Sequence, residues 1–272
     1  MTTHPRFRRL AARTLLATLL VAGIAACGDD DGDTTRAAGD KPASKSTQSE
    51  ASEKASEQDV YCGALVEFNA AVTQTEIGDD ATPEEVKKVA ADLDPVWQKV
   101  EANAPEAVAD DIATLGETMA KLSEGDAKAF NAEETRGIYS GVLSETAGDC
   151  GFEDVGATAV DYKFEGLPTT VKAGPATLTL ENTGKEEHEM ILMKKAKGET
   201  RDAKALLSLP EEEAMKVLTF TGAAFAPPGQ TGVGLAELTP GEYVVTCFIP
   251  VGGGEDGPPH FTEGMFAELT VE

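Results

Sequence analysis

Tyr243-Val244-Val245-Thr246-Cys247, a loop from Phe248 to Pro259, His260-Phe261-Thr262-Glu263-Gly264-Met265, and Phe266-Ala267-Glu268-Leu269-Thr270-Val271 form the stretch that decides the fold. Side chains on a strand alternate between faces, so Tyr243, Val245 and Cys247 share one face. Met265, Ala267, Leu269 and Val271 share another by the same count. Two apolar-facing strands therefore bracket a loop of twelve residues that is rich in glycine and proline. Pro240-Gly241 supplies the turn into the first of them.

Upstream the same texture continues. Ala157 to Phe164, Thr169 to Lys172, Ala176 to Asn182 and Glu187 to Lys194 are short runs rich in Val, Leu and Thr. Gly, Pro or Asn182-Thr183-Gly184 turns separate most of them, and strands resume near Thr219, Thr231 and Glu242. Between them Lys204 to Leu207 and Pro210 to Met215 read as a helical excursion at about 202–217. Seven or eight strands at this spacing over 155–272 predict a Greek-key β-sandwich with a helical insertion.

Residues 59–151 follow a different period. Tyr61, Leu65, Phe68 and Val72 mark a helical stripe. Thr82-Pro83-Glu84-Glu85 is a capping box with proline in the first turn, and it opens the stripe Val86, Val89, Leu93, Trp97 and Val100. Val108, Ile112, Leu115, Met119 and Leu122 give a third helix. A fourth starts at Asn131, with Glu134 three residues on, and runs to Cys150. Four amphipathic helices with short connections predict an antiparallel four-helix bundle, with Trp97 and Met119 in its core.

Residues 27–58 are a tether. Positions 28–58 hold no Leu, Ile, Val or aromatic residue, so they cannot bury a core and are expected to be disordered. Before them, Arg6, Arg8, Arg9 and Arg13 precede the short apolar run Leu15 to Ala26, which reads as an export signal over 1–26. Ile24-Ala25-Ala26-Cys27 resembles the lipobox of bacterial lipoproteins. That resemblance implies a lipid on Cys27 and an extracytoplasmic protein anchored to the cell membrane. Arg8-Arg9 leaves the export route open between the general and the twin-arginine pathways.

The formal net charge is −25, and loss of 1–26 takes away four arginines and no acid. Nucleic acid is an unfavourable partner for such a chain, whereas a basic protein would be steered toward it. The four cysteines separate by role. Cys27 belongs to the anchor, and Cys62 and Cys150 stand at the two ends of the helical segment, where they are expected to form a disulfide. Cys247 is left over, and an unpaired thiol outside the cytoplasm must be buried or bound.

His188 and His260 are the only histidines beyond the export signal. His188 heads a strand whose Met190 and Leu192 share its face, so it joins Cys247, His260 and Met265 at the end of an apolar strand face. Two imidazoles, one thiolate and one thioether are the ligand set of a blue-copper electron-transfer site. Met190 and Met193 are expected to pack. No nucleophile–base pair, phosphate-cradling glycine loop or paired carboxylate setting argues an enzyme.

On Asn182-Thr183-Gly184-Lys185-Glu186-Glu187-His188 and on Tyr243-Val244-Val245-Thr246-Cys247…His260-Phe261-Thr262-Glu263-Gly264-Met265, residues 155–272 resemble the cupredoxins, the plastocyanin-like blue-copper proteins. The resemblance implies one copper ion with His188, Cys247 and His260 equatorial and Met265 weakly axial. It also implies a one-electron carrier, and with the acidic charge the expected partner is a basic redox or copper-acceptor protein. A copper chaperone or storage protein that hands its metal to an acceptor, and a metal-free interaction module, are the alternatives. Two departures stand out. The loop between Cys247 and His260 is long, which predicts a softer site. Glu189 also stands where many members have an asparagine that braces the loop beside the cysteine.

Overall fold

The computed structural model describes residues 46–75, 81–254 and 257–272, with side chains from residue 58 onward. The export signal, Cys27 and the first part of the tether lie outside the described residues.

Helices come first: α1 (Ser46–Thr73), α2 (Pro83–Asn103), α3 (Ala109–Glu124), the short α4 (Ala127–Asn131) and α5 (Glu133–Cys150). The capping box forms as expected. The Thr82 hydroxyl accepts from the Glu85 N–H at 3.3 Å, and the Glu85 carboxylate accepts from the Thr82 N–H at 2.9 Å. Val86, Leu93, Trp97 and Val100 of α2 are buried against Leu65, Phe68, Leu115, Met119, Leu122 and Leu143. Each such side chain contributes about 1.5–3 kcal/mol relative to exposure.

Two readings of this part need correction. Helix α1 opens at Ser46, inside the stretch whose composition suggested a disordered tether. Ser, Ala, Glu and Lys cannot build a core, but they tolerate a helix once an amphipathic segment such as 61–72 supplies the packing. The last helix is capped by Ala132 without a side-chain bond, not by Asn131, which ends α4. Asp126 caps α4, accepting from the Lys128 and Ala129 N–H groups, and this extra turn displaces the expected start.

The β part is a mixed sandwich. Its strands are β1 (Glu153–Val160), β2 (Lys163–Glu165), β3 (Thr170–Val171), β4 (Gly174–Asn182), β5 (His188–Lys195), β6 (Leu218–Ala226), β7 (Thr231–Leu238), β8 (Gly241–Thr246) and β9 (Phe266–Val271). One sheet runs β2-β1-β4-β7 and the other β3-β9-β8-β5-β6. The pairs β1–β4 and β3–β9 are parallel, and the remaining ladders are antiparallel. The run Ala157 to Phe164 is two strands, because the chain reverses at Asp161-Tyr162. No glycine or proline marks that turn, and Tyr162 takes a positive φ of 63° to make it.

The parity of the closing stretch holds. Tyr243, Val245, Cys247, Met265, Leu269 and Val271 are buried in one core with Leu178, Leu180, Met190 and Leu192 between the sheets. The opposite face of β5 and β8 is covered as well. Ile191, Met193 and Val244 pack under α6 (Ala203–Leu207), with Ala203, Leu206 and Leu207. A second short helix, α7 (Glu211–Ala214), follows in the same insertion. Met190 and Met193 are thus packing residues.

Helices α1 and α5 lie against β7, whose Val233 and Leu235 join the helical core. Two bonds fix this seam: Asn69 Nδ2 donates to the Leu235 carbonyl at 2.9 Å, and the Val233 N–H donates to Ser140 Oγ at 2.7 Å. Cys62 on α1 and Cys150 at the end of α5 form a disulfide with Cα atoms 5.5 Å apart. Among the described residues no helix is long and apolar enough to cross a membrane.

Candidate metal centre

At one pole of the sandwich the start of β5 and the end of β8 lie side by side, as the register Ile191↔Thr246 requires. His188 heads β5, Cys247 follows β8, and His260 opens the 3-10 turn His260–Glu263. All three are fully buried. One donor atom from each lies within 4.8 Å of the other two. His188 Nδ1 is 3.1 Å from His260 Nδ1, and Cys247 Sγ is 3.3 Å from His260 Nδ1.

The long loop reaches this geometry by folding on itself. The His260 N–H donates to the Ile249 carbonyl at 2.9 Å, the Val251 N–H donates to the Pro258 carbonyl at 2.9 Å, and Pro250 bridges to Pro259. The excursion is therefore a laced ribbon that brings Cys247 and His260 together at its base. Met265 is tied to the same base: its N–H donates to the His260 carbonyl and its carbonyl accepts from the Cys247 N–H, each at 3.2 Å. Its side chain is buried in the core that holds Cys247.

Glu189 braces the cysteine. Its carboxylate accepts from the Phe248 N–H at 2.8 Å, and its own N–H points at Cys247 Sγ at 3.5 Å. A carboxylate oxygen offers the same acceptor as an amide oxygen, so the departure at this position keeps the brace. Burial pushes the Glu189 carboxyl up to about 7, against the lowering pull of the Phe248 N–H. Burial also pushes the Cys247 thiol up to about 12, with the nearby Glu189 adding to it. A thiol with that value is protonated at neutral pH, so metal capture there releases a proton.

The outer edges of both imidazoles meet carboxylates. His188 Nε2 is 3.2 Å from Asp161 Oδ1, and His260 Nε2 is 3.1 Å from Glu186 Oε2. The Lys185 N–H holds Asp161 below the usual carboxylate range. The Tyr162 hydroxyl and then the Gly252 N–H do the same for Glu186. Burial holds His188 below the ordinary imidazole value, opposed by the Asp161 hydrogen bond.

Ionised carboxylates only accept, so each ring carries its proton on Nε2. Both Nδ1 lone pairs then point inward, toward each other and toward Cys247 Sγ. Two ring nitrogens and the Cys247 sulfur thus converge on one point, and the thiol proton is the one a bound metal would displace. Donors about 2.0–2.3 Å from one ion stand roughly 3–3.7 Å apart, which is the spacing of the Nδ1–Nδ1 and Sγ–Nδ1 pairs. The group is able to hold a metal ion, and its N/N/S chemistry suits a borderline-to-soft one.

Neighbouring residues shape the pole. Asn182 is buried, donates to the Glu186 and Ala226 carbonyls and accepts from the Gly184 N–H, so it folds the turn that presents Glu186 and His188. Gly184 leaves room for the first carboxylate cap. A Cβ there would meet Asp161 Oδ1 and would lie 2.8 Å from His188 Nε2. Tyr162 sets its ring edge-on to His260 with centroids 4.9 Å apart, and its hydroxyl donates to Glu186 Oε1 at 2.8 Å. That bond to Glu186 raises the phenol to about 12. A positive φ at a tyrosine costs about 1–2 kcal/mol, so this contact comes with backbone strain.

The sequence reading named the donors and missed Asp161, Tyr162 and Glu186. Glu186 lay inside the Asn182 to His188 motif, two positions before the histidine, and carried no signal of its own. Asp161 and Tyr162 are visible only as an uninterrupted strand pattern that turns out to reverse.

No protein-family model and no curated protein matches the chain. Solved structures do resemble its β part. Auracyanin from Roseiflexus castenholzii is 18% identical and aligns over 44% of this chain and 96% of its own, at a TM-score of 0.30. Auracyanin A, a blue copper protein from Chloroflexus aurantiacus, is 20% identical over 44% of this chain and 98% of its own, at 0.28. Reduced rusticyanin is 19% identical over 44% of this chain and 78% of its own, at 0.27. These are cupredoxins, the group that the sequence motifs resemble.

Proposed function

We propose that the protein binds one copper ion, which His188, Cys247 and His260 would hold with Met265 as a weaker ligand, and acts as a one-electron carrier rather than an enzyme. The observation that carries this reading is the convergence of two Nδ1 atoms and one Sγ in a fully buried site. Copper bound there supplies a reversible one-electron couple. The chain's own part is to hold the donors in place, exclude water and limit rearrangement. Buried thiolate ligation also accounts for a cysteine that stays free while Cys62 and Cys150 are paired.

In the same proposal the β part is a Greek-key sandwich, and the helices form an antiparallel four-helix bundle that covers β7. Cys27 carries a lipid that anchors the protein outside the cytoplasm, and the acidic chain meets a basic redox partner and no nucleic acid. Of the alternatives, a copper chaperone is the less favoured, because Met190 and Met193 are buried in the core and offer no exposed transfer ligands.

The test is to add Cu(II) to the purified protein and record visible absorption and EPR. A thiolate-to-copper charge-transfer band that disappears in Cys247→Ser is the expected result. Absence of the band in the wild type, or its survival in Cys247→Ser, overturns the proposal.

A further inference from the structure

The edge of His260 that points away from Cys247 is closed over by Glu186. Glu186 Oε2 meets His260 Nε2 at 3.1 Å and accepts from the Gly252 N–H at 2.7 Å. Its other oxygen, Oε1, accepts from the Tyr162 hydroxyl at 2.8 Å. Its carbonyl accepts from Asn182 Nδ2 at 2.8 Å. One carboxylate thus joins the turn before β5, the turn after β1 and the ribbon after Cys247, all at the back of one candidate ligand. His260 is left fully buried under it.

We infer that Glu186 is a positioning residue of the metal centre: it fixes His260 with Nδ1 inward and biases the bound metal toward its more oxidised state. The first half follows from hydrogen-bond chemistry. A carboxylate at Nε2 admits only the tautomer whose Nδ1 lone pair faces Cys247 and His188. It also restrains the ring from turning out of the site. The second half follows from charge. A full negative charge on the far side of the ligand ring makes the imidazole a stronger donor and stabilises the ion of higher charge more than the ion of lower charge. Asp161 stands in the corresponding place at His188, at 3.2 Å, and accepts from the Lys185 N–H at 2.9 Å, whereas the Gly252 N–H of the ribbon donates to Glu186. Glu186 is therefore the carboxylate through which loop placement and ligand placement are coupled.

This inference rests on the copper reading, and the two fail in different ways. The experiment compares wild type, Glu186→Gln and Glu186→Ala in the full chain, with circular dichroism confirming that each is folded. Three quantities are read: the thiolate-to-copper band, the reduction potential, and the equilibrium affinity for Co(II), which reports the donor set without redox chemistry. Gln keeps the size and an acceptor oxygen but removes the charge. Its band is expected to persist and its potential to rise, by about 59 mV for each tenfold by which the oxidised ion loses affinity more than the reduced one. Ala removes acceptor and charge together, and Co(II) affinity is expected to fall roughly 10–100-fold, the usual loss for an outer-sphere partner.

An unchanged or lowered potential in Glu186→Gln with the band intact overturns the inference and leaves the copper reading standing. Undiminished Co(II) affinity in Glu186→Ala overturns the positioning role. A wild type that binds Co(II) but shows no thiolate-to-copper band overturns the copper reading, while a weakened Glu186→Ala still supports the positioning role.

Discussion

The helical part and the β part each bury sulfur, and they use it in opposite ways. Cys62 and Cys150 sit at the edge of a core made of Leu65, Phe68, Trp97, Leu115 and Leu143, which holds no histidine among the described residues, and they close on each other. Cys247 is buried more deeply, beside two imidazoles, and is the free cysteine among the described residues. In the first case the sulfur joins two helices through cysteines 88 residues apart in sequence. In the second it is one of three donors aimed at a common point. What differs is the company each thiol keeps: paired sulfur cross-links a segment, while lone sulfur among nitrogen lone pairs prepares a metal site.

If that division is right, damage to one region should leave the other's property in place. The largest effect is expected from the disulfide. Cys62→Ala with Cys150→Ala should lower unfolding stability by about 4–5 kcal/mol, the chain-entropy value for a loop of this length. Chemical denaturation measures it, and the thiolate-to-copper band of the folded variant should be unchanged. Loss of that band under folding conditions would break the comparison, because the helical staple would then be holding the metal site as well.

Gly184→Ala works from the other side. Its Cβ would press on the Asp161–His188 pair, so metal affinity should fall roughly 10–100-fold, or about 1.4–2.8 kcal/mol. A competition titration reads this, and unfolding of the helical part should not change. A wild-type affinity would mean that the cap at His188 is dispensable.

A smaller change sharpens the helical side alone. Thr82→Ala removes the hydroxyl that caps α2 and should cost about 1 kcal/mol in denaturation, with no shift in metal affinity. The smallest is Lys99→Ala, which breaks the exposed pair with Glu67 at 2.6 Å. Exposed pairs contribute roughly 0.2–1 kcal/mol, so the denaturation midpoint should barely move. A larger loss at Lys99 would mean that the contact between α1 and α2 relies on charge more than on its apolar stripe.

Much of this was legible from residue order. Strand parity placed Tyr243, Val245 and Cys247 together on the face between the sheets because the period of two follows from backbone geometry alone. The capping box at Thr82 and Glu85 was readable because both partners lie within one helical turn. The start of α5 was misread since Asp126, an equally good cap a few residues earlier, begins a separate turn. The Ala157 to Phe164 run was misread since Tyr162 adopts a left-handed conformation that its residue type disfavours, so no turn residue announces the reversal.

The amino-acid order by itself determined which atoms were available: two histidines, one leftover cysteine, a methionine, and two strand faces that point them inward. It also determined that Cys62 and Cys150 had a structural task. Only the tertiary structure decided that the donors converge within 4.8 Å and that Asp161 and Glu186 stand behind them. It also decided that Glu189 braces the cysteine and that the described ends of the loop after Cys247 are laced to each other. The reason is physical. Residue type and local period follow from the chain's own geometry, whereas a distance between two turns depends on how the sheets pack. Asp161 and His188 are 27 residues apart in sequence, and Glu186 and His260 are 74 apart. No local pattern in the chain encodes the few ångströms that separate them.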